Sequence, residues 1–302
     1  MKYPTILVTG GRGFIGSHFV EKCINLGHKV IDIDKITYAA NETLPWDNDP
    51  NYCLIEKDIS NINHIPPCDL IVNFAAESHV DNSIDSPKVF FESNVRGVFN
   101  LLELLRGKIY ERPMFLHIST DEVYGDIREF WFTENDKLNP GNPYSASKAA
   151  AEMFVLSYGK TYGIDYLITR SSNNYGNRQY QEKLIPKIIE SIKNNKKIPL
   201  HGDASYIRDW IYVKDNVDGI YFIAENSPPN ETYNISADNH LTNLEVTKQV
   251  CSWFGIDDYE NHIRYLPNRL GQDIRYSLSN EKLKKLGWTP KSTKGLYNFT
   301  ND

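Results

Sequence analysis

Thr5-Ile6-Leu7-Val8-Thr9-Gly10-Gly11-Arg12-Gly13-Phe14-Ile15-Gly16 is the stretch whose reading decides the fold. Its first five residues are a short apolar run of the kind that forms a buried parallel strand. Glycines follow at once at 10, 13 and 16, three apart. Ser17 to Leu26 then carries helical periodicity, with Gly27 as its stop, and Lys29 to Ile33 reads as a second strand ending at Asp34. Strand, glycine turn, helix, strand and acid, in that order, is what a dinucleotide site requires. Small residues let the backbone approach a pyrophosphate at a helix N-terminus, where unpaired N–H groups and the dipole favour anions. Asp34 is suited to accept hydrogen bonds from the adenosine ribose and would repel a 2′-phosphate, so NAD is expected rather than NADP. A glycine-rich turn with no ligand is the competing reading.

Further strands alternate with helices beyond this unit. Leu70 to Phe74 leads into Ala75-Ala76-Glu77-Ser78-His79, Phe115 to Ser119 into Thr120-Asp121-Glu122, and Tyr166 to Thr169 into Arg170 to Tyr175. Ligands of open α/β sheets bind at the carboxyl ends of strands, and every chemically interesting residue so far sits at one. After about Gly176 the character changes: helical segments near 184–194 and 243–254 alternate with short strands and a Pro-rich break at Ser227-Pro228-Pro229. The expected architecture is α/β: a Rossmann-type, doubly wound parallel sheet over residues 1–177, then a smaller C-terminal α/β substrate-binding unit over 178–302. Some segments of the second unit are expected to return to the first.

Two groupings carry chemistry. Tyr144 and Lys148, four apart, share one face of a helix, and a cation beside a phenol is expected to bring its pKa down toward neutrality. Asp121 and Glu122 offer a second proton-transfer pair, which simple alcohol oxidation does not need. Each has a bland alternative. A Tyr-x-x-x-Lys pair alone is usually helix surface, and Asp-Glu after a strand is often a cap with a solvated neighbour.

Bulk properties bound the possibilities. The chain has 302 residues, enough to bury an active site, and its net charge of −6 argues against bulk nucleic-acid or acidic-membrane binding. Cys23, Cys53, Cys68 and Cys251 are scattered, with no His or Cys cluster at metal spacing, so reduced thiols and no metal are expected. No run approaches a membrane span or a signal peptide, which points to the cytoplasm.

With these residues in view, the chain resembles the extended short-chain dehydrogenase/reductases, and among them the nucleotide-sugar 4,6-dehydratases. The resemblance rests on Thr-Gly-Gly-x-Gly-Phe-Ile-Gly-Ser at 9–17, the run from Asp34 to Ala39, and Asn73 to Asp81. It continues through Ser119 to Gly125, Asn173 to Gly176, Glu182 to Pro186, Ile207 to Trp210 and Thr242 to Glu245. It implies that Gly10, Gly13, Phe14, Ile15 and Gly16 lie along the pyrophosphate of NAD. Asp34, Lys35 and Thr37 would surround the adenosine ribose, and Asp58 and Ile59 the adenine. Ala75, Ala76, Ser78 and Asn174 would belong to the cofactor site as well. Thr120, Tyr144 and Lys148 are implied as the oxidation triad, and Asp121 with Glu122 as the dehydration pair. Ser78, Thr120, Asn173, Lys183, Leu184, Arg208, Asn243 and Arg269 would hold the nucleotide sugar. From the residues alone, Arg208 could equally pair with Asp209, and Lys183 could be a solvated helix-end lysine.

The implied reaction takes NDP-glucose (dTDP or UDP) to its 4-keto-6-deoxy sugar plus water, as in deoxysugar biosynthesis, with NAD recycled and a homodimer as the assembly. Leu270-Gly271-Gln272-Asp273 stands where the family usually has Pro-Gly-His-Asp, a departure that bears on thymine against uracil. Gly295-Leu296-Tyr297 begins a usual terminal helix that stops short, a change expected to affect stability rather than chemistry. Epimerases and decarboxylases of the same fold need the tyrosine and lysine but not the acid pair. A silent NAD-binding scaffold would have no use for either. A GDP-mannose dehydratase, usually NADP-dependent, is disfavoured by Asp34.

Overall fold

The computed structural model describes residues 2–108, 111–268 and 274–301. Strand β1 (Thr5–Thr9) enters the glycine turn and helix α1 (Phe14–Asn25), followed by β2 (Lys29–Asp34), β3 (Tyr52–Glu56) and β4 (Leu70–Asn73). Two short helices, α2 (Val80–Asp85) and α3 (Pro87–Phe90), run through a π-turn at Phe91–Arg96 into α4 (Gly97–Gly107). Strand β5 (Met114–Thr120) ends in a 3₁₀ turn at Asp121–Tyr124, and helix α5 (Pro143–Tyr162) precedes β6 (Tyr166–Ser171).

The remainder comprises β7 (Asn173–Tyr175), α6 (Leu184–Lys193), β8 (Ile198–His201), β9 (Ile207–Tyr212) and α7 (Val213–Asn226). Then come β10 (Glu231–Ile235), β11 (His240–Thr242), α8 (Asn243–Trp253), β12 (Ile263–Leu266) and α9 (Glu281–Leu286).

Seven strands form one sheet in the order β10-β6-β5-β4-β1-β2-β3, and every neighbouring pair is parallel. A sheet buried on both faces needs apolar side chains pointing both ways. In β1, Ile6 and Val8 pack with Phe19, Val20 and Cys23 of α1, whereas Leu7 packs with Val98, Leu101 and Leu105 of α4. Strand order reverses between β1 and β4, so the loops after those strands part and leave a crevice. That crevice receives the glycine turn from one side and Phe74 to Ser78 from the other.

The chain beyond residue 178 does not stay apart from this sheet. Strand β10 closes its edge against β6, and Val217 and Ile220 of α7 share the core of Phe19. Smaller sheets, β11-β9-β7 and β12-β8, lie outside it. Helix α5 is aimed by its start: the Asn142 and Ser145 side chains cap each other's backbone N–H groups, and Pro143 takes the first turn.

Phe19 is fully buried between α1 and the sheet. Phe19→Ala is expected to cost about 3–5 kcal/mol, read from the shift in denaturant midpoint. A loss under about 1 kcal/mol would show that this core is not tightly packed.

Candidate active site

Two clefts meet at the carboxyl end of the sheet. The first is lined by Gly10, Gly13, Phe14, Ile15 and Gly16, by Asp34, Lys35 and Thr37, and by Asp58 and Ile59. Ala75, Ala76, Ser78, Tyr144 and Lys148 complete the side expected to face a nicotinamide. Its backbone leaves no room for side chains at the turn. Gly10 has φ +74°, and a Cβ on Gly16 would lie 2.2 Å from the Gly10 carbonyl oxygen. Asp34 accepts hydrogen bonds from the Arg12 and Ile36 N–H groups at 3.0 and 2.8 Å, which fixes its carboxylate beside the turn. Arg12 points away, forking onto Asp47 at 2.7 and 3.2 Å. Lys35 is held by Ser93 and Glu77. A glycine cradle, a helix N-terminus and an acid at the end of β2 together fit a dinucleotide with free ribose hydroxyls.

The second cleft is lined by Ser78, Glu122, Asn173, Lys183, Leu184, Arg208 and Asn243, among others. Ser78, Gln179, Glu182 and Lys183 line both clefts, so the two are continuous. Arg208 and Trp210 face this cleft from β9, whereas Asp209 between them is fully buried and accepts from the Asn239 N–H. Strand alternation therefore separates Arg208 from Asp209. The Arg208 guanidinium instead stacks on Tyr276, 4.4 Å from the ring centre, and lies near enough to Asp121 to act on its charge. Lys183 donates to the Ser78 carbonyl at 2.8 Å, bridging α6 to the loop after β4.

The expected site differs in three places. Asn174 lies on the wall of the second cleft, not the cofactor cleft, because β7 belongs to the small three-stranded sheet. Thr120 and Asp121 are on neither cleft's wall; both are buried next to Glu122, with Asp121 3% exposed. Arg269 and the 270–273 segment fall outside the described residues. Tyr144 is the third: its phenol is pushed up, not down, by burial and by the charge of Glu122, with the hydrogen bond to Thr120 pulling the other way. The Lys148 ammonium does share the helix face, but it donates to the Ile118 carbonyl at 2.6 Å. Burial brings its own pKa down to about 8.

Asp121 and Glu122 are adjacent in sequence and opposite in environment. The 3₁₀ turn seats Asp121 in the interior, where burial first and Glu122 second raise its pKa to about 8, so at neutral pH it holds its proton. Its Oδ1 accepts from the Thr120 hydroxyl at 3.1 Å, and its Oδ2 meets no hydrogen-bond partner among the described residues. Glu122 faces the second cleft, with the Asn142 amide at 3.4 Å. The phenol of Tyr144 senses both carboxyls, so all three groups converge where the clefts join.

Sequence reasoning passed over Asn94, which the π-turn buries. Its amide bonds both backbone groups of Glu77 and the Ser147 hydroxyl, tying the loop after β4 to α5. It also passed over Gln179 and Glu182 at the junction. Only the Asn142-Pro143 helix-start signal, two residues before Tyr144, could have drawn attention to Asn142.

Gly16→Ala is expected to displace the turn and raise the dissociation constant for NAD about tenfold or more, near 1.4 kcal/mol. Quenching of intrinsic fluorescence on NAD titration checks it, and an unchanged constant would remove the turn from the cofactor site.

Comparison with known proteins bears on the fold and the family. The family model described as GDP-mannose 4,6 dehydratase matches residues 7–296. The low-salt glycan biosynthesis protein Agl12 of Haloferax volcanii is 42% identical, covering 94% of this chain and 93% of its own length. The dTDP-glucose 4,6-dehydratase of Haemophilus influenzae is 40% identical, covering 95% and 94%. Among solved structures, a double mutant of Streptomyces venezuelae DesIV, a dTDP-glucose 4,6-dehydratase with NAD bound, superposes with a TM-score of 0.90. It is 37% identical, over 95% of this chain and 92% of that one. A Rossmann sheet, an acid pair beside a Tyr-Lys helix, and matches running almost end to end lead to one conclusion: this chain belongs to the GDP-mannose 4,6 dehydratase family of nucleotide-sugar enzymes.

Proposed function

We propose that this protein is an NAD-dependent 4,6-dehydratase acting on dTDP-glucose or UDP-glucose and releasing the 4-keto-6-deoxy sugar nucleotide and water. One observation carries the reading: the proton-holding Asp121 and the cleft-facing Glu122 lie side by side next to Tyr144. An epimerase or decarboxylase has no work for that pair.

NAD, which the glycine turn, Asp34 and the Ala75-Ala76 loop would hold, would supply the hydride acceptor for C4 of the hexose and the hydride donor for C6. Tyr144, as phenolate, takes the C4 hydroxyl proton, with Lys148 and Thr120 assisting; burial favours the neutral phenol, and the hydrogen bond to Thr120 pulls the other way. The C4 ketone acidifies C5–H, and Glu122 removes that proton. Asp121 gives its proton to the C6 hydroxyl, which departs as water. Glu122 then reprotonates C5, and the proton gained by Tyr144 balances the one lost by Asp121. Arg208, Lys183, Asn173 and Asn243 hold the diphosphate side, where guanidinium forks suit phosphate oxygens.

The remaining expectations stay with this reading. Residues 178–302, apart from the returning stretch 213–235, serve as the nucleotide-sugar unit. Exposed Val89, Phe91, Phe99 and Met153 on the α3–α4–α5 side support a homodimer through those helices. Unpaired cysteines support a cytosolic setting, and no helix among the described residues is long and apolar enough to cross a membrane.

Separate incubation with dTDP-glucose and UDP-glucose, followed by the alkaline absorbance of 4-keto product, tests the proposal. No product from either, with NAD shown to be bound, would overturn it. Glu122→Gln is expected to keep C4 oxidation and lose product by about a thousandfold. Turnover should also fall as pH rises past about 8, where Asp121 gives up its proton and Lys148 its charge; a flat alkaline limb would contradict both assignments.

A further inference from the structure

The acid pair and the Tyr-Lys pair stand on different elements, and one buried guanidinium touches the support of each. Arg170, near the end of β6, sends Nε and Nη2 onto the Glu152 carboxylate at 3.1–3.2 and 2.6 Å. Its Nη1 donates to the Tyr124 hydroxyl at 2.6 Å, and the guanidinium lies 4.7 Å from the centre of that ring. Glu152 is 0% exposed and occupies the third place in the row Tyr144, Lys148, Glu152, each four residues on along α5. Tyr124 closes the 3₁₀ turn that begins with Asp121 and Glu122.

The contacts continue outward. Tyr124 donates to Asn234 Oδ1 at 2.9 Å, and Asn234 is bound through its N–H to Glu134 and through its amide to the Phe132 carbonyl. Ser119, Arg170 and Asn234 are register partners across β5, β6 and β10, so the row lies one residue behind Thr120. The returning strand β10 is thereby joined to the catalytic turn.

We propose that Arg170 is a positioning residue that sets the spacing between the elimination pair and the oxidation pair, with Tyr124 and Glu152 as its two handles. This rests on the dehydratase reading above. Replacing a buried ion pair by well-packed apolar groups is often neutral for stability, so stability alone gives no reason for a fully enclosed Arg–Glu pair here. A forked guanidinium does what an apolar pair cannot: it fixes distance and angle at two partners together. Asp121 and Glu122 share the short turn that Tyr124 closes, Lys148 lies one helical turn before Glu152 and Tyr144 two, and small misplacements of reacting groups are costly.

Tyr124→Phe removes the hydroxyl and keeps the ring, and Arg170→Lys keeps the charge and loses the fork. In single turnover on the better of dTDP-glucose and UDP-glucose, both variants are expected to form reduced nicotinamide at close to the unaltered rate. Product should follow about tenfold more slowly, with KM within about twofold. Wild-type product kinetics in Tyr124→Phe, or equal slowing of both phases, would overturn the proposal even if Arg170→Lys fails to fold. No turnover by the unaltered enzyme would overturn the dehydratase reading itself, which separates the two failures.

Discussion

Neighbouring carboxyls cannot both be charged in a dry interior without a large penalty, and the structure answers that constraint by giving them different surroundings. Backbone direction makes the difference: β5 ends at Thr120, and the tight 3₁₀ turn sends Asp121 inward and Glu122 toward the cleft. Interior placement keeps Asp121 protonated, while Glu122, one residue away, faces the cleft. Tyr144, buried and next to the charge of Glu122, becomes a poor acid. Glu122 thus acts on both neighbours, raising the pKa of Asp121 and of the Tyr144 phenol alongside burial.

Topology brings that system to the cofactor. Because β1, β4, β5 and β6 are parallel, their carboxyl ends open on one side, and the reversal of order between β1 and β4 leaves the crevice there. The glycine turn, the Ala75-Ala76 loop, the acid pair and Asn173 are each the first residues after a strand or close to it. Helix α5 then lays Tyr144 and Lys148 across the junction, its first turn fixed by the Asn142 capping box. Second-half segments complete the walls, α6 and β9 supplying Lys183, Leu184 and Arg208.

Much of this was legible in the sequence because it is local. Glycines at 10, 13 and 16 demand a close backbone approach, apolar runs mark strands, and chemistry gathers at their ends; the first cleft holds the cofactor residues so expected, save Asn174. What was not legible depends on contacts distant along the chain. Nothing near Glu231–Ile235 announces a seventh strand, since its partner lies some sixty residues earlier in β6. Asn94 acquires its meaning only when the π-turn faces it to Glu77 and Ser147. The pKa of Tyr144 went the opposite way from the helix-face argument because four-residue spacing reports proximity and says nothing of burial, and burial is the larger effect here. Asp121, read with Glu122 as a proton-transfer pair, turns out to be the buried member, for the same reason.

The protonation of Asp121 is the point on which the chemistry turns, and infrared spectroscopy reads it directly. In the difference between the unaltered protein and Asp121→Asn, a protonated-carboxyl band should be present at neutral pH and vanish with a midpoint near 8. A difference spectrum showing ionised carboxylate throughout the neutral range would contradict the assignment of Asp121 as the acid that expels water.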